Sequence, residues 1–284
     1  MKVLITGHSG YIGSHVFKLL SDKGLEVAGL GRQEVHGGQF QEFIFDGTAA
    51  SVERAYALFK PEATIHCAAS FSSSSVDDIK SLVDVNVAYG AMLLEACVNN
   101  SCTKFINAGS YFEYFGSNGD LSPCNAYAAS KSAFQILLEF YGRERNLSAL
   151  TLVLYDVYGP RDPRPKLLNK LILGNPGDIS PGKQLKDFIF IDDVAEAFYL
   201  ALTSLENLNE VRYFVRTNVL TSIEDLVRII DEKMKSSLYV HLGKRPYADN
   251  EIMKPYLGPI LPYWKPKVSI NDGIDRVLED NRCL

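Results

Sequence analysis

The chain has 284 residues, enough for one large domain or one and a half small ones, and its 46% hydrophobic and 22% charged residues are ordinary for a globular protein. A net charge of -5 argues against non-specific nucleic-acid binding, and no apolar run is long enough to span a bilayer. The five cysteines, at 67, 97, 102, 124 and 283, form no C-x-x-C pair, so reduced thiols and no metal site are expected. MKVLITG runs directly into a strand and does not read as a cleavable signal, so a cytoplasmic location is expected.

In chain order, Lys2–Thr6 is a short apolar run, GHSGYIG a glycine-rich turn, and SHVFKLLSDKG a periodic stretch closed by glycine. That is strand, turn, helix. EVAGLG predicts a second strand and Phe43–Phe45 a third, closed by Asp46. Ser51–Phe59 is helical until Pro61 breaks it, and ATIHCAA is a fourth strand. A long amphipathic helix follows over Ile79–Asn99, then strand KFINAGS, helix Asn125–Arg145 and strand LTLVLYDVYG. Strands separated by helices of this length must pair in parallel through crossovers, which predicts an α/β fold with a Rossmann-type doubly wound parallel sheet. After Gly159 the chain turns proline- and arginine-rich and its elements shorten. Residues 1–160 are therefore expected to form the dinucleotide-binding domain and 161–284 a smaller mixed α/β substrate lobe. Segments such as 187–203 (within DFIFIDDVAEAFYLAL) are candidates to return to the first domain.

The turn Thr6-Gly7-His8-Ser9-Gly10-Tyr11-Ile12-Gly13 reads T-G-x-x-G-x-x-G. Gly7 permits the tight turn, Gly10 lets backbone approach a pyrophosphate, and Gly13 lets helix and strand pack closely. The helix start supplies free N–H groups, so the cofactor residues expected here are Gly7, Ser9, Gly10, Tyr11, Ile12 and Gly13. A fortuitous turn is the bland alternative; its place between a strand and a helix favours a nucleotide. The second strand ends in Gly31-Arg32, where an acidic residue commonly grips a ribose hydroxyl. Glycine leaves space there, and the Arg32 guanidinium suits a ribose 2′-phosphate. NADP is the expected cofactor and NAD the alternative; a solvated surface arginine is the competing reading. Asp46 is expected either to meet the adenine amino group or simply to close a turn.

Asn125-Ala-Tyr127-Ala-Ala-Ser130-Lys131 contains Y-x-x-x-K, which puts both side chains on one helix face. A lysine ammonium beside the phenol is expected to lower its pKa and let it exchange a proton with a carbonyl or alcohol oxygen. With 15 tyrosines, coincidence is easy, but the pair opens the helix after the fifth strand, where cofactors bind in such sheets.

TGHSGYIG, HCAAS, Asn86 of NVAYGAMLLEA, YAASK, DVYGP, KDFIFIDDVAEA and PYWKPKVSINDGI follow one another along nearly the whole chain. In them the sequence resembles the extended short-chain dehydrogenase/reductase family, in its nucleotide-sugar epimerase, dehydratase and reductase branch. The resemblance implies that Tyr127 is the general acid/base, with Lys131 tuning it and holding the nicotinamide ribose. It also implies that Ala68, Ala69 and Asn86 stand beside the cofactor, and that Ser70 reaches the substrate. A strand-five hydroxyl would bind the reacting sugar oxygen. Ser110 matches that position, but a register counted back from Phe115-Gly116 puts Tyr111 there instead. Arg245 resembles the arginine that contacts the sugar-nucleotide diphosphate, and Arg161 stands in a basic cluster with Arg164 and Lys166 beside the substrate lobe. Solvated surface charges explain these nearly as well.

Dehydratases of the branch carry an Asp-Glu pair directly after the strand-five hydroxyl. Here Tyr111-Phe112 stand there and Glu113 follows alone, so elimination is disfavoured. The reading that results is an NADPH-dependent ketoreductase of a nucleotide-linked 4-keto-6-deoxy sugar. Its alternatives are a C4 epimerase with tightly bound NAD and a dinucleotide-sensing binding protein without chemistry. A homodimer paired through the two long helices is expected.

Overall fold

The computed structural model describes residues 1–35, 37–72, 75–174, 176–234 and 240–282. Cys283 and the serines at 73 and 74 of the serine-rich loop lie outside the described residues. The large sheet contains β1 (Lys2–Thr6), β2 (Glu26–Gly31), β3 (Gln41–Ile44), β4 (Ala63–His66), β5 (Lys104–Ser110), β6 (Ser148–Leu154) and β10 (Arg212–Val215). Its order is β10-β6-β5-β4-β1-β2-β3, and all its pairings are parallel. The central strands are buried on both faces, as their nearly unbroken apolar sequences require. Helices α1 (Tyr11–Asp22) and α7 (Ile191–Ser204) pack together, and α2 (Ala49–Phe59), α4 (Gly90–Asn99) and α5 (Ala126–Glu144) cover a second core around Phe105 and Phe134. The chain leaves the β3 edge and re-enters beside β1 as β4. The switch point between β1 and β4 is therefore where a ligand crevice opens at the strands' carboxyl ends.

Two readings of the sequence are corrected here. LTLVLYDVYG is two strands: β6 ends at Leu154, and β7 (Asp156–Tyr158) leaves for a second sheet with β9 (Leu185–Phe190) and β11 (Leu220–Ser222), in the order β11-β9-β7. Tyr155 marks the break, its hydroxyl donating to the Tyr256 carbonyl. The predicted helix over 79–99 begins earlier and is continuous over Val76–Asn99: α3 (Val76–Val83), a π-helical turn at Asp84–Tyr89, then α4. At 24 residues it is long and apolar enough, by length and composition alone, to cross a membrane, against the expectation that no run would be. Part of that apolar surface belongs to the core, where Leu82, Tyr89, Leu93 and Leu94 are buried.

The C-terminal half does not stay in its own lobe. β10 pairs with β6 at the sheet edge. The Asp193 carboxylate of α7 accepts from the N–H groups of Lys267 (2.9 Å) and Val268 (3.0 Å), and its carbonyl accepts from the Trp264 indole (3.0 Å). The rest of the C-terminal part comprises α6 (Leu167–Ile172), β8 (Asp178–Ile179), β11, α8 (Ile223–Met234) and β12 (His241–Leu242), while α9 (Ile270–Arg282) packs on α8 and β9.

Candidate active site

The glycine turn joins β1 to α1 at the switch point. Gly7 has φ +69°, and a Cβ there would lie 2.5 Å from the Ala68 nitrogen; a Cβ at Gly13 would lie 2.1 Å from the Gly7 carbonyl oxygen. The turn is thus held against the end of β4, and only glycine fits at either point. Gly10 precedes α1 without any side-chain cap, and the first turn holds no acidic residue. The first-turn N–H groups therefore face outward for an anion, which is what a dinucleotide pyrophosphate requires. Ser9 is exposed and Ile12 half-buried on this edge. Tyr11 is committed elsewhere: its hydroxyl donates to the Pro160 carbonyl (3.2 Å), and the Arg164 guanidinium sits 4.7 Å from its ring centroid. Ala68 lies half-buried and Ala69 exposed just past β4.

The space expected at Gly31 is already filled. His8 is fully buried, and its ring lies across β2 so closely that a Cβ at Gly29 or Gly31 would come within 2.6 or 2.8 Å of it. Its Nε2 meets Glu42 Oε1 at 2.7 Å, and the Glu42 carboxylate also accepts the Val35 N–H at 3.1 and 3.2 Å. Gly31 is small first because His8 is large. Arg32 follows it, exposed at the strand end. Asp46 accepts from the Thr48 N–H (3.0 Å) and hydroxyl (2.6 Å), which hold its carboxyl below the usual range and close the turn into α2.

Ser110 stands at the carboxyl end of β5, and Tyr127 and Lys131 stand on α5, which packs against that strand. Asn125 caps α5 by accepting the Ala128 N–H (2.8 Å), so Tyr127 and Lys131 emerge from its first turns on one face. The Ser110 side chain stands close enough to the Tyr127 phenol to favour its ionisation, and the Phe71 ring stands 4.7 Å from the phenol ring. Lys131 is only 1% exposed. Asn86, in the π turn, accepts the Ser70 N–H (2.8 Å) and donates to the Ser70 carbonyl (2.9 Å) and the Ser130 hydroxyl (2.8 Å). It therefore ties the post-β4 loop to α5. The Ser70 hydroxyl is paired with Ser81 (3.1 Å), so Ser70 meets α3 rather than open space.

The expected direction of the tyrosine shift is reversed. Burial, then the nearby Glu113 charge, holds the Tyr127 phenol above its ordinary pKa, while the Ser110 side chain and the charge of Arg164 pull the other way. Desolvation penalises phenolate more than these partners favour it. Burial also depresses Lys131, which Glu113 opposes.

The two candidates for the strand-five hydroxyl are separated. Tyr111, 3% exposed, donates to Asp156 (2.9 Å), accepts from Lys186 Nζ (3.1 Å) and stacks on Tyr155 at 5.1 Å. Ser110 is the one that meets Tyr127. Glu113 turns inward: Oε1 accepts the Ser110 N–H (2.7 Å) and Oε2 the Ser132 hydroxyl (3.5 Å), and burial pushes its carboxyl up to about 7. A Cβ at Gly109 would lie 3.2 Å from Glu113 Oε1 and 2.6 Å from Thr151, which accounts for Gly109 ahead of Ser110.

A cavity of about 210 Å³ opens beside Tyr111, lined among others by Asp156, Lys166, Gln184, Lys186, Arg245 and Glu251. Lys186 lies 3.7 Å from Glu251, and Lys166 lies 4.0 Å from Asp156. Arg245 is thus on the wall of this cavity. The Arg161 guanidinium pairs with Asp280 of α9 at 2.9 Å. Lys186, Asp156, His8 and Glu42 escaped the sequence reading. The signal available for Lys186 was its place at the head of KDFIFIDD, and for His8 the two glycines of AGLG.

A glycine turn at the switch point and a Ser–Tyr–Lys cluster beside it define an NAD(P)-type oxidoreductase site of the extended short-chain dehydrogenase/reductase kind. The chain belongs to the NAD dependent epimerase/dehydratase family, which it matches over residues 3–215. It is 28% identical over 266 residues to the CDP-abequose synthase of Yersinia pseudotuberculosis (90% of this chain, 92% of the relative). It is 29% identical over 313 residues to the UDP-glucose 4-epimerase of Mycolicibacterium smegmatis, with 98% of each chain covered. Among solved structures it superposes on the Thermus thermophilus UDP-glucose 4-epimerase complex with NAD, with a TM-score of 0.85, 29% identity and 99% of both chains covered. The protein is a nucleotide-sugar-modifying enzyme that uses a pyridine nucleotide.

Proposed function

We propose that the enzyme reduces the ketone of a nucleotide-linked 4-keto-6-deoxy sugar to the alcohol, with NADPH as the reductant. The observation that carries this reading is the inward turn of Glu113, which leaves Ser110, Tyr127 and Lys131 as the proton-handling groups around a reacting oxygen. Elimination needs an acid and a base beside the hydroxyl; this site offers one phenol and one serine, enough to protonate an oxygen. When bound, NADPH would supply a hydride to the carbonyl carbon. Ser110 orients the oxygen, Tyr127 delivers its proton to that oxygen, and Lys131 holds a positive charge below the developing phenolate. Lys166, Lys186 and Arg245 bring cationic side chains to the cavity wall, which suits the diphosphate of a sugar nucleotide. The similarity to a CDP-abequose synthase supports a nucleotide-linked deoxysugar as the substrate class.

The test is NADPH oxidation, followed by absorbance, with dTDP-, CDP- and GDP-linked 4-keto-6-deoxyhexoses. Turnover on at least one is expected. The exposed Arg32 is read as the 2′-phosphate contact. Arg32→Asp is expected to weaken NADPH by about tenfold or more while leaving NADH nearly unchanged, since a charge-assisted contact contributes about 1.5–3 kcal/mol. Fluorescence titration of both cofactors measures this, and an unmoved preference removes NADP from the reading. A C4 epimerase with resident NAD is the second reading, favoured by the likeness to UDP-glucose 4-epimerases over the whole chain. Purified protein that interconverts sugars with no added reductant decides for it. The exposed apolar residues Val76 and Val83 of α3 and Ile136 and Phe140 of α5 support a homodimer paired through these helices. Light scattering at micromolar concentration should return twice the mass of one chain.

A further inference from the structure

Beneath the proton-handling cluster lies an acid that the reaction as described does not use. Glu113 is 1% exposed and sits in a 3₁₀ turn directly after β5. One carboxylate oxygen fixes the backbone of Ser110 and the other reaches the Ser132 hydroxyl of α5, so it bridges the strand that carries the serine and the helix that carries Tyr127 and Lys131. A carboxylate taken out of water needs compensating charge or hydrogen bonds. The charges acting on it are those of Lys131 from α5 and Arg212 from β10. Tyr114 lies between Glu113 and Arg212, which donates to its hydroxyl at 3.3 Å. The other charged and titratable groups that act on the pair are Cys67 and His66 with Lys131, and Arg164 with Tyr127. Among the described residues Glu113 is the one carboxylate acting on both Tyr127 and Lys131, and on each its charge favours the protonated form.

We propose that Glu113 is a positioning residue whose buried negative charge keeps the proton on Tyr127 and on Lys131 while its oxygen holds Ser110 in line. This inference rests on Tyr127 being the proton donor of the reduction. A reductase needs the phenol protonated at the moment of hydride transfer, and a buried anion nearby makes that the resting state. After transfer, the phenolate regains its proton from solvent, and the same field favours that return, so the acid form is restored.

Glu113→Gln separates charge from scaffold, because the amide oxygen can still accept the Ser110 N–H. Removing the charge should let Tyr127 ionise at lower pH. The measurement is ¹³Cζ-tyrosine NMR of the NADP⁺-loaded protein between about pH 6 and about pH 11, with the Tyr127 signal assigned by its loss in Tyr127→Phe. The Tyr127 curve of E113Q should lie lower by about one pH unit or more. In NADPH turnover, E113Q should match the parent at the acidic end and fall progressively behind it as pH rises. Superimposable Tyr127 curves, or an E113Q curve shifted upward, overturn the proposal, as does a rate deficit that is the same at every pH. Should E113Q fail to fold, Glu113→Met removes the charge with an apolar chain of similar length and is read the same way. An NMR shift without turnover on any keto-sugar would sink the ketoreductase reading and leave the role of Glu113 standing. Turnover with unmoved NMR curves would do the reverse.

Discussion

Tyr127→Phe is expected to lower kcat for keto-sugar reduction by about 10²- to 10⁴-fold, the range that a positioned general acid contributes. The phenyl ring keeps the packing against Phe71, so the loss should fall on the chemical step. Cofactor affinity should change little, because the pyrophosphate end is held by backbone N–H groups at the start of α1. No neighbour replaces the phenol. Ser110 is near it but has no acidity to offer. Lys131 is buried, and Glu113 has both oxygens engaged, with the Ser110 N–H and the Ser132 hydroxyl. Stopped-flow measurement of NADPH oxidation, with cofactor titration in parallel, checks both halves. A variant that keeps its turnover would remove Tyr127 from the mechanism.

The second large effect concerns the end of β2. Restoring the acidic residue that dinucleotide folds often carry there, by Gly31→Asp, should destabilise the protein by about 1–3 kcal/mol, the usual cost of overpacking. The new Cβ would stand 2.8 Å from the His8 ring, and the new carboxylate would enter a region where Glu42 already supplies a negative charge. The companion His8→Ala removes the ring and should itself destabilise, because it leaves a void and strips Glu42 of its imidazole partner. In the double variant the two defects share one space. Its loss should be smaller than the sum of the single losses by about 0.5–3 kcal/mol. Urea unfolding of the four proteins measures this, and strict additivity would mean that His8 does not determine the glycine. The same cycle bears on cofactor choice, since the double variant offers an acceptor for a ribose 2′-hydroxyl and should gain affinity for NADH.

Much of the architecture is legible in the sequence because it depends on short-range signals. Doubly buried strands read as nearly continuous apolar runs, as in KVLIT and ATIH. The glycine turn, the Asn125 cap and the Y-x-x-x-K spacing are local patterns with local consequences. The break at Tyr155 and the π turn around Asn86 were not legible. A strand that changes sheets and a helix that absorbs an extra residue are decided by partners distant in sequence, here Tyr256 for the one and Ser70 with Ser130 for the other.

The site divides in the same way. By itself the sequence determined the family, the dinucleotide turn and the Tyr127–Lys131 pair, because each is a spacing on one element and needs no knowledge of what lies opposite. The tertiary structure alone decided that Ser110 acts on the phenol while Tyr111 bonds to Asp156, that Arg161 pairs with Asp280, and that burial raises the Tyr127 phenol above its ordinary pKa. It also decided why residue 31 is glycine, since His8 fills that space from another strand's turn. The physical reason is common to all four. Hydrogen-bond partners, close packing and desolvation are set by atoms that meet only when distant segments fold together, and residue type and spacing do not specify them.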